Sequence, residues 1–303
     1  MSMEAVRESR SDRLFKIANY TFLTVVLAIV LYPLIYVVSA SISNPAFVNS
    51  GQMWLFPKDI MWEGYVRVFE NKQIWIGYRN TIFYTLLGTT INLLVTIPAA
   101  YALSRRDLVG RNWIMGMFVF TMFFSGGLIP TYLLVKNMGM VNTIWAMVLP
   151  NAAAVWNIII CRTFFQSTIP RELEEAATID GCSTVKMFLK IILPLSKPII
   201  VVMALFYGVG HWNSYFNALI YLSDQNLYPL QLVLRQILVL QQMDAETTGG
   251  AVGAVATAMA NKAEIAAIIK YAVMIVSTLP VIIVYPFLQR YFVKGVMIGS
   301  IKG

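Results

Sequence analysis

The acids most able to act together are Glu172, Glu174, Glu175 and Asp180, four carboxylates in one short polar stretch. Neighbouring carboxylates can share a proton, hold a metal or dock against a basic partner. Catalysis needs a convergent set of acid, base or metal-binding groups at one face. Here all four acids fall on one short surface hairpin, which suits docking better. A metal site is not expected: His211 is the sole histidine, and Cys161 and Cys182 stand far apart. Those two thiols read as small, unpaired hydrophobes. No Gly-x-x-x-x-Gly-Lys-Ser/Thr loop occurs, so the chain itself should not bind ATP.

The polar stretch reads as helix, turn, helix. Pro170 and the acidic run Arg171–Glu175 suit a helix start, because carboxylates favour the positive end of the helix dipole. Ala176 and Ala177 are strong helix formers, and Gly181 can take the positive φ that ends a helix. Ser183 or Thr184 can cap a second helix carrying Val185, Phe188, Leu189 and Ile192 along one side. Pro194 and Pro198 close it.

Around this hairpin the chain is apolar. Its 303 residues have a mean hydropathy of +0.67 and 13% charged residues, against about 25% in soluble domains. The class is all-α integral membrane. Apolar runs of ~20 residues span the hydrocarbon as helices. They fall at about 20–41, 80–103, 113–135, 144–162, 198–222 and 267–289, six in all. The first is too long for a cleavable signal and should remain as an anchor. Residues 1–18 precede the permeating domain at 19–289, and 290–303 form a tail. With both termini in the cytoplasm, fifteen of the 23 Lys and Arg lie on cytoplasmic segments and eight on the others. That bias orients the chain and puts the 163–197 hairpin inside. The net charge of +8 therefore calls for no nucleic acid.

Other segments carry weaker signals. Residues 42–79 hold Trp54, Phe56, Trp62, Tyr65, Val68 and Phe69 among charges, as a helix lying at the interface would. Pro98 removes one backbone hydrogen bond from its span, and Ser125-Gly126-Gly127-Leu128-Ile129-Pro130 suggests a kink or unwound turn, close packing being an equally good account of its glycines. His211-Trp212-Asn213-Ser214-Tyr215-Phe216-Asn217 is the densest polar-aromatic cluster within a span. Polar groups at that depth face the bundle interior or a cavity. His211 reads as a structural residue. Trp212, Asn213, Tyr215 and Asn217 are candidates for a sugar path, since rings stack on flat aromatics and Asn bonds hydroxyls. In the outer loop 223–266, Tyr228-Pro229-Leu230 enters a helix, and 244–260 is rich in Gly, Ala and Thr.

The hairpin also resembles the EAA loop of ABC importer permeases. That pattern is Glu-Ala-Ala, three residues, Gly, nine residues, Ile-x-Leu-Pro, and Glu175, Ala176, Ala177, Gly181, Ile191, Leu193 and Pro194 meet every fixed position. The resemblance covers essentially the whole chain, and is to the carbohydrate, maltose-permease-like subfamily. Tyr228-Pro229-Leu230 and the Tyr291–Gly303 tail, with its three glycines and two lysines, look similar to a subgroup importing complex oligosaccharides, alginate among them. It implies the type I importer permease fold in the bacterial inner membrane. It further implies a second, related permease, two ATPase subunits that hold ATP and Mg, an extracytoplasmic solute-binding protein and a carbohydrate substrate. No cofactor is then bound by this chain. Glu175, Ala176, Ala177, Asp180, Gly181, Ile191, Leu193 and Pro194 would couple to the ATPase, the 223–266 loop would reach the binding protein, and the tail would enter the ATPase interface. An ion-coupled secondary transporter, the main rival, wants ionisable groups in mid-span; little beyond His211 is there, and the hairpin would go unexplained.

Overall fold

The computed structural model describes residues 9–247, 269–284 and 286. Among these the chain is helical, with no β-strand and one isolated bridge between Ser43 and Ile60. The helices are α1 (Arg10–Ser41), α2 (Pro45–Asn49), α3 (Glu63–Glu70), α4 (Lys72–Ser104), α5 (Arg111–Phe123), α6 (Leu128–Asn137), α7 (Trp145–Val148) and α8 (Val155–Thr168). There follow α9 (Arg171–Ile179), α10 (Thr184–Leu195), α11 (Lys197–Trp212), α12 (Phe216–Tyr221), α13 (Leu230–Thr247) and α14 (Ile269–Val284). The chain divides into two compact units, 1–70 with 237–276 and 71–236 with 277–303.

In the first unit α1 is capped by Ser9 and Asp12, a reciprocal capping box. It is long and apolar enough to cross a membrane, and none of its most apolar stretch is buried. Its last turn enters a small core of Ala40, Val48 and Met53. There Ser39 Oγ donates to the Leu55 carbonyl (2.6 Å) and Ser41 Oγ pairs with the Tyr65 hydroxyl (2.8 Å).

The second unit is built on α4. Its buried side runs Ile74, Gly77, Thr81, Tyr84, Gly88, Asn92, Thr96, Ala100 and Leu103, a stripe at three- and four-residue steps. Most of this stripe is small or polar, which lets α8 and α11 pack closely on it. At Gly77 a Cβ would stand 2.9 Å from the Leu230 Cα. The Leu230 N–H there donates to Thr81 Oγ1 (2.8 Å).

Several expected spans are broken. Among the described residues only α1 and α4 pass as spans on length and composition, or four spans if the bent pairs α5–α6 (113°) and α10–α11 (80°) each count as one. The α5–α6 break confirms the unwound turn expected at Gly126-Gly127. Gly127 sits at φ 84°, ψ −178°, a region open essentially to glycine alone. The continuous helix expected at 144–162 is corrected to α7 and α8, separated at Leu149–Ala154, where Pro150 supplies no backbone donor. Likewise 198–222 divides into α11 and α12 at Asn213–Tyr215. The interfacial helix expected over 42–79 is also corrected: α2 and α3 are short, and 72–79 are the first turns of α4. Leu230 does begin a helix, as expected. Residues 248–268 and the tail at 290–303 lie outside the described residues.

Gly77→Ala should press on Leu230, strain its bond to Thr81 and cost about 1–3 kcal/mol. Gly210→Ala, where nothing lies within 4 Å, is the matched control. Thermal unfolding in detergent checks this; equal midpoints for the two variants would refute the close approach.

Candidate functional site

The hairpin α9–α10 is locally over-determined. Pro170 stands at the N-cap of α9, with Glu172 and Glu174 in the first turn. The helix ends with the Gly181 N–H on the Thr178 carbonyl (3.0 Å) and the Cys182 N–H on the Ala177 carbonyl (2.9 Å). With Gly181 at φ 72°, this is a Schellman motif. Ser183, the first of the two expected caps, accepts from the Lys186 N–H. In α10 the turn Phe188–Ile192 widens to π geometry, the Leu193 N–H reaching back to the Phe188 carbonyl. Pro194 directly follows; it brings no N–H, and its ring must clear the carbonyl four residues back. Buried Ser196 then donates to the Ile192 carbonyl (2.7 Å) at the bend into α11.

Within α9–α10 the inner face comprises Ala177, Met187 and Ile192, with Leu173, Phe188, Ile191 and Leu193 packed beside them. They join a core with Ile97, Ala100, Leu103, Phe165 and Ile199. Glu175, Ala176, Asp180, Gly181 and Pro194 are exposed on the outer face. The one-sided stripe expected for the second helix is corrected: Val185 and Leu189 point outward at 68% and 54% exposure, while Met187 takes the inner place. Ile179 is 86% exposed as well, and the charged Glu175, Asp180, Lys186 and Lys190 are exposed on the same hairpin.

Tyr101, near the end of α4, anchors the hairpin. Its ring stacks on Phe188 (5.2 Å between centroids) and meets Phe165 edge-on (5.6 Å). Its hydroxyl donates to Glu174 Oε1 (3.1 Å) and accepts from Arg105 Nη1 (3.2 Å). Arg105 grips Asp107 through two nitrogens (2.9 and 2.6 Å), and these hydrogen bonds hold the Asp107 carboxyl below the usual carboxylate range. The last carbonyls of α4 are capped by Arg162 and Gln166, which bond Leu103 and Ser104. A cleft of about 940 Å³ opens between this end of α4 and α9, lined by Arg105, Arg106, Arg111, Arg162 and Arg171 opposite Glu174 and Glu175. No group of three metal-ligating side chains occurs among the described residues, and Cys161 and Cys182 are both free. Such a site offers shape, charge and apolar surface rather than a reacting group.

The polar-aromatic cluster of α11 lies elsewhere in the same unit. Trp212 is buried, its Nε1–H donating to the Ser277 carbonyl (3.1 Å), and its ring meets Tyr78 (6.4 Å). Asn213 donates to the Val209 carbonyl (3.0 Å) and is exposed, as is Tyr215; Asn217 is half-buried. His211 Nε2 meets Asn92 Oδ1 (2.7 Å), while the Asn92 amide nitrogen donates to the Asn151 and Ala152 carbonyls (2.6 and 2.9 Å). That network assigns the imidazole proton to Nε2. Sequence reasoning missed the parts played by Tyr101, Asn92, Thr96 and Tyr207. Asn92 and Thr96, one turn apart inside an apolar helix, were the available signal.

Tyr101→Phe keeps both ring contacts and removes both hydrogen bonds, so it should cost about 1–2 kcal/mol. Gly181→Val forces a β-branched residue into positive φ at a cost of about 1–2 kcal/mol or more. Both should speed limited proteolysis at the α9–α10 turn in detergent; a turn cut no faster than in the wild type would show that these contacts do not hold it.

Comparison with known proteins agrees with this architecture. Residues 74–298 match the family described as binding-protein-dependent transport system inner membrane component. Protein LplC of Bacillus subtilis (strain 168) is 42% identical over 301 residues, covering 99% of each chain. The polygalacturonan/rhamnogalacturonan transport system permease protein YtcP of the same organism is 40% identical over 292 residues, 96% of this chain and 99% of its own. Among solved structures, a chain of a bacterial ABC transporter involved in the import of the acidic polysaccharide alginate superposes with a TM-score of 0.83 at 35% identity, over 95% of this chain and 100% of that one. The chain belongs to the binding-protein-dependent ABC transporter permeases: it is an integral membrane permease component, not an enzyme.

Proposed function

We propose that this chain forms half of the translocation path of an ATP-driven importer for acidic oligosaccharides. It pairs with a second, related permease, receives its substrate from an extracytoplasmic binding protein, and is driven by two ATPase subunits that hold ATP and Mg. The chain crosses the bacterial inner membrane six times with both termini inside. The observation that carries this reading is the α9–α10 hairpin. It leaves Ile179, Val185 and Leu189 exposed, along with the charged Glu175, Asp180, Lys186 and Lys190, while its inner face is sealed into the core. Exposed apolar and charged side chains on a rigid element are what a docking knob needs. The rigid turn at Gly181 and the Tyr101 anchor let the knob act as a lever rather than a flexible tether. Glu175, which is exposed, would pair with a cation of the ATPase. Docking is favoured over ion coupling because Asp and Glu are absent from the apolar stretch of α4.

The substrate class rests on the relatives. YtcP is named for polygalacturonan and rhamnogalacturonan and the structural neighbour is described for alginate; these glycans carry uronate carboxylates. Trp212, Asn213, Tyr215 and Asn217 remain candidates for the path wall. The loop that begins at residue 223 faces the binding protein, and the tail reaches the ATPases.

The test co-expresses the tagged chain with its partner permease and ATPase, as wild type and as Glu175→Lys, Val185→Asp and Gly181→Val. ATPase retained in membrane pull-downs and hydrolysis stimulated by the loaded binding protein are measured. Loss of either in the variants, with the chain still in the membrane, is expected; variants equal to wild type in both would sink the docking role. Uptake of oligouronates against neutral oligosaccharides then checks the substrate class.

A further inference from the structure

The hairpin anchor uses only part of the arginine-lined cleft at the end of α4. Of the five guanidiniums there, Arg105 is ion-paired, with Asp107. Arg111 Nη1 donates to the Arg105 carbonyl (3.1 Å) and Arg162 Nε to the Leu103 carbonyl (3.0 Å). A carbonyl accepts a hydrogen bond but leaves the positive charge uncancelled. Arg106 and Arg171 are exposed, and neither they nor Arg111 and Arg162 make an ion pair among the described residues. Against these four stand Glu174, whose Oε1 accepts from Tyr101, and the exposed Glu175. The cleft thus keeps an excess of guanidiniums, whose forked donors fit a phosphate.

Directly beyond Arg111 the surface of α5 turns apolar. Trp113, Met117, Phe120 and Phe124 follow at three- and four-residue steps, all exposed, Trp113 at 82%. Gly116 leaves a groove of about 410 Å³ among them, lined by Asn112, Trp113, Met117 and Phe120. A Cβ at Gly116 would meet nothing within 4 Å. Along one helix the order is therefore cation, amphipathic ring, apolar groove. Trp113 to Phe120 spans ~10 Å of axis. A phospholipid of the cytoplasmic leaflet has the same order in the same direction: phosphate, glycerol, acyl chain. Trp belongs at the headgroup boundary and Arg on the cytoplasmic side, and basic pockets between spans on that side take anionic headgroups. A soluble anion would use the cleft but leave the groove unexplained.

We propose that cleft and groove together hold one anionic phospholipid of the cytoplasmic leaflet, its phosphate among Arg106, Arg111 and Arg171 and one acyl chain laid along α5 over Gly116. The lipid sits against the hairpin anchor, since Arg105 and Glu174, both bonded to the Tyr101 hydroxyl, line the same cleft. Like charges around one cleft repel, and a bound phosphate cancels that repulsion where α9 meets α4. Anionic lipid thereby steadies the hairpin and favours its coupling to the ATPases. The proposal rests on the importer reading above for the orientation that puts this end of α4 in the cytoplasm.

Its test uses the assembled transporter in nanodiscs of phosphatidylcholine. A trace of phosphatidylglycerol with a photoreactive acyl chain, or of phosphatidylcholine with the same chain, is added, and the label is located by peptide mass spectrometry. Preferential labelling of residues 112–124 by phosphatidylglycerol is expected. Arg106→Gln should cut it about fivefold, the effect of one interfacial cation. Gly116→Leu, at a position where a Cβ meets nothing, fills the groove and should cut it by a similar factor. Adding phosphatidylglycerol to the bilayer should raise hydrolysis stimulated by the loaded binding protein in the wild type and in neither variant. Both variants should keep wild-type hydrolysis in phosphatidylcholine alone, which misfolded chains would not. Equal labelling by the two lipids, as when the partner permease covers α5, or labelling that both variants leave unchanged, overturns the site. Inorganic phosphate that reproduces the rise in phosphatidylcholine alone overturns the lipid in favour of a free anion. A wild type whose hydrolysis ignores the binding protein sinks the importer reading, while the labelling still decides the lipid site.

Discussion

Unpaired backbone is expensive inside a membrane, and this fold is arranged around that cost. At two places where the chain leaves a helix within the second unit, 149–154 and 222–229, α4 or its neighbour α11 supplies missing partners. Asn80 donates to the carbonyls of Asn226 and Tyr228, and the Tyr84 hydroxyl to that of Leu227. Thr81 takes the Leu230 N–H, and Asn92 and Tyr207 hold Asn151–Ala154. Each such group left unmade would cost several kcal/mol in hydrocarbon. The polar residues on α4 are therefore the condition under which broken helices can exist here, and its glycines let the broken pieces come near enough to bond.

The hairpin faces the opposite problem, since a short element with a largely exposed outer side must keep its shape. Three local devices do this: the Schellman turn at Gly181, the Ser183 cap and the π turn ahead of Pro194. Tyr101 then ties the hairpin to α4 by ring and hydroxyl together. Ala177 must be small because it lies fully against the core, whereas Glu175 and Ala176, its neighbours in the same motif, face out. One short motif thus serves two surfaces.

The two regions share a helix. From the bend at Ser196, α11 runs directly to Tyr207 and His211. The element leaving the hairpin is the element whose Tyr207 and His211 bond Thr96 and Asn92 of α4.

Motif and composition were legible in the residues alone. Seven fixed positions at fixed spacing, a charge content half that of soluble domains and the Lys/Arg bias set the family, the membrane class and the hairpin. The Gly126-Gly127 break was legible too, because only glycine occupies the φ and ψ found at Gly127. The breaks at Leu149–Ala154 and Asn213–Tyr215 were not, because hydropathy sums over a window and is blind to whether the backbone inside it is helical. Val185 was misplaced for a related reason: periodicity finds a stripe, but α10 is short, π-turned and apolar on two sides, so only packing decides which side is inner. The roles of Asn92, Thr96, Tyr207 and Tyr101 belong wholly to the tertiary structure. Each acts on a residue dozens of positions away, and a hydrogen bond between distant segments leaves no spacing to read.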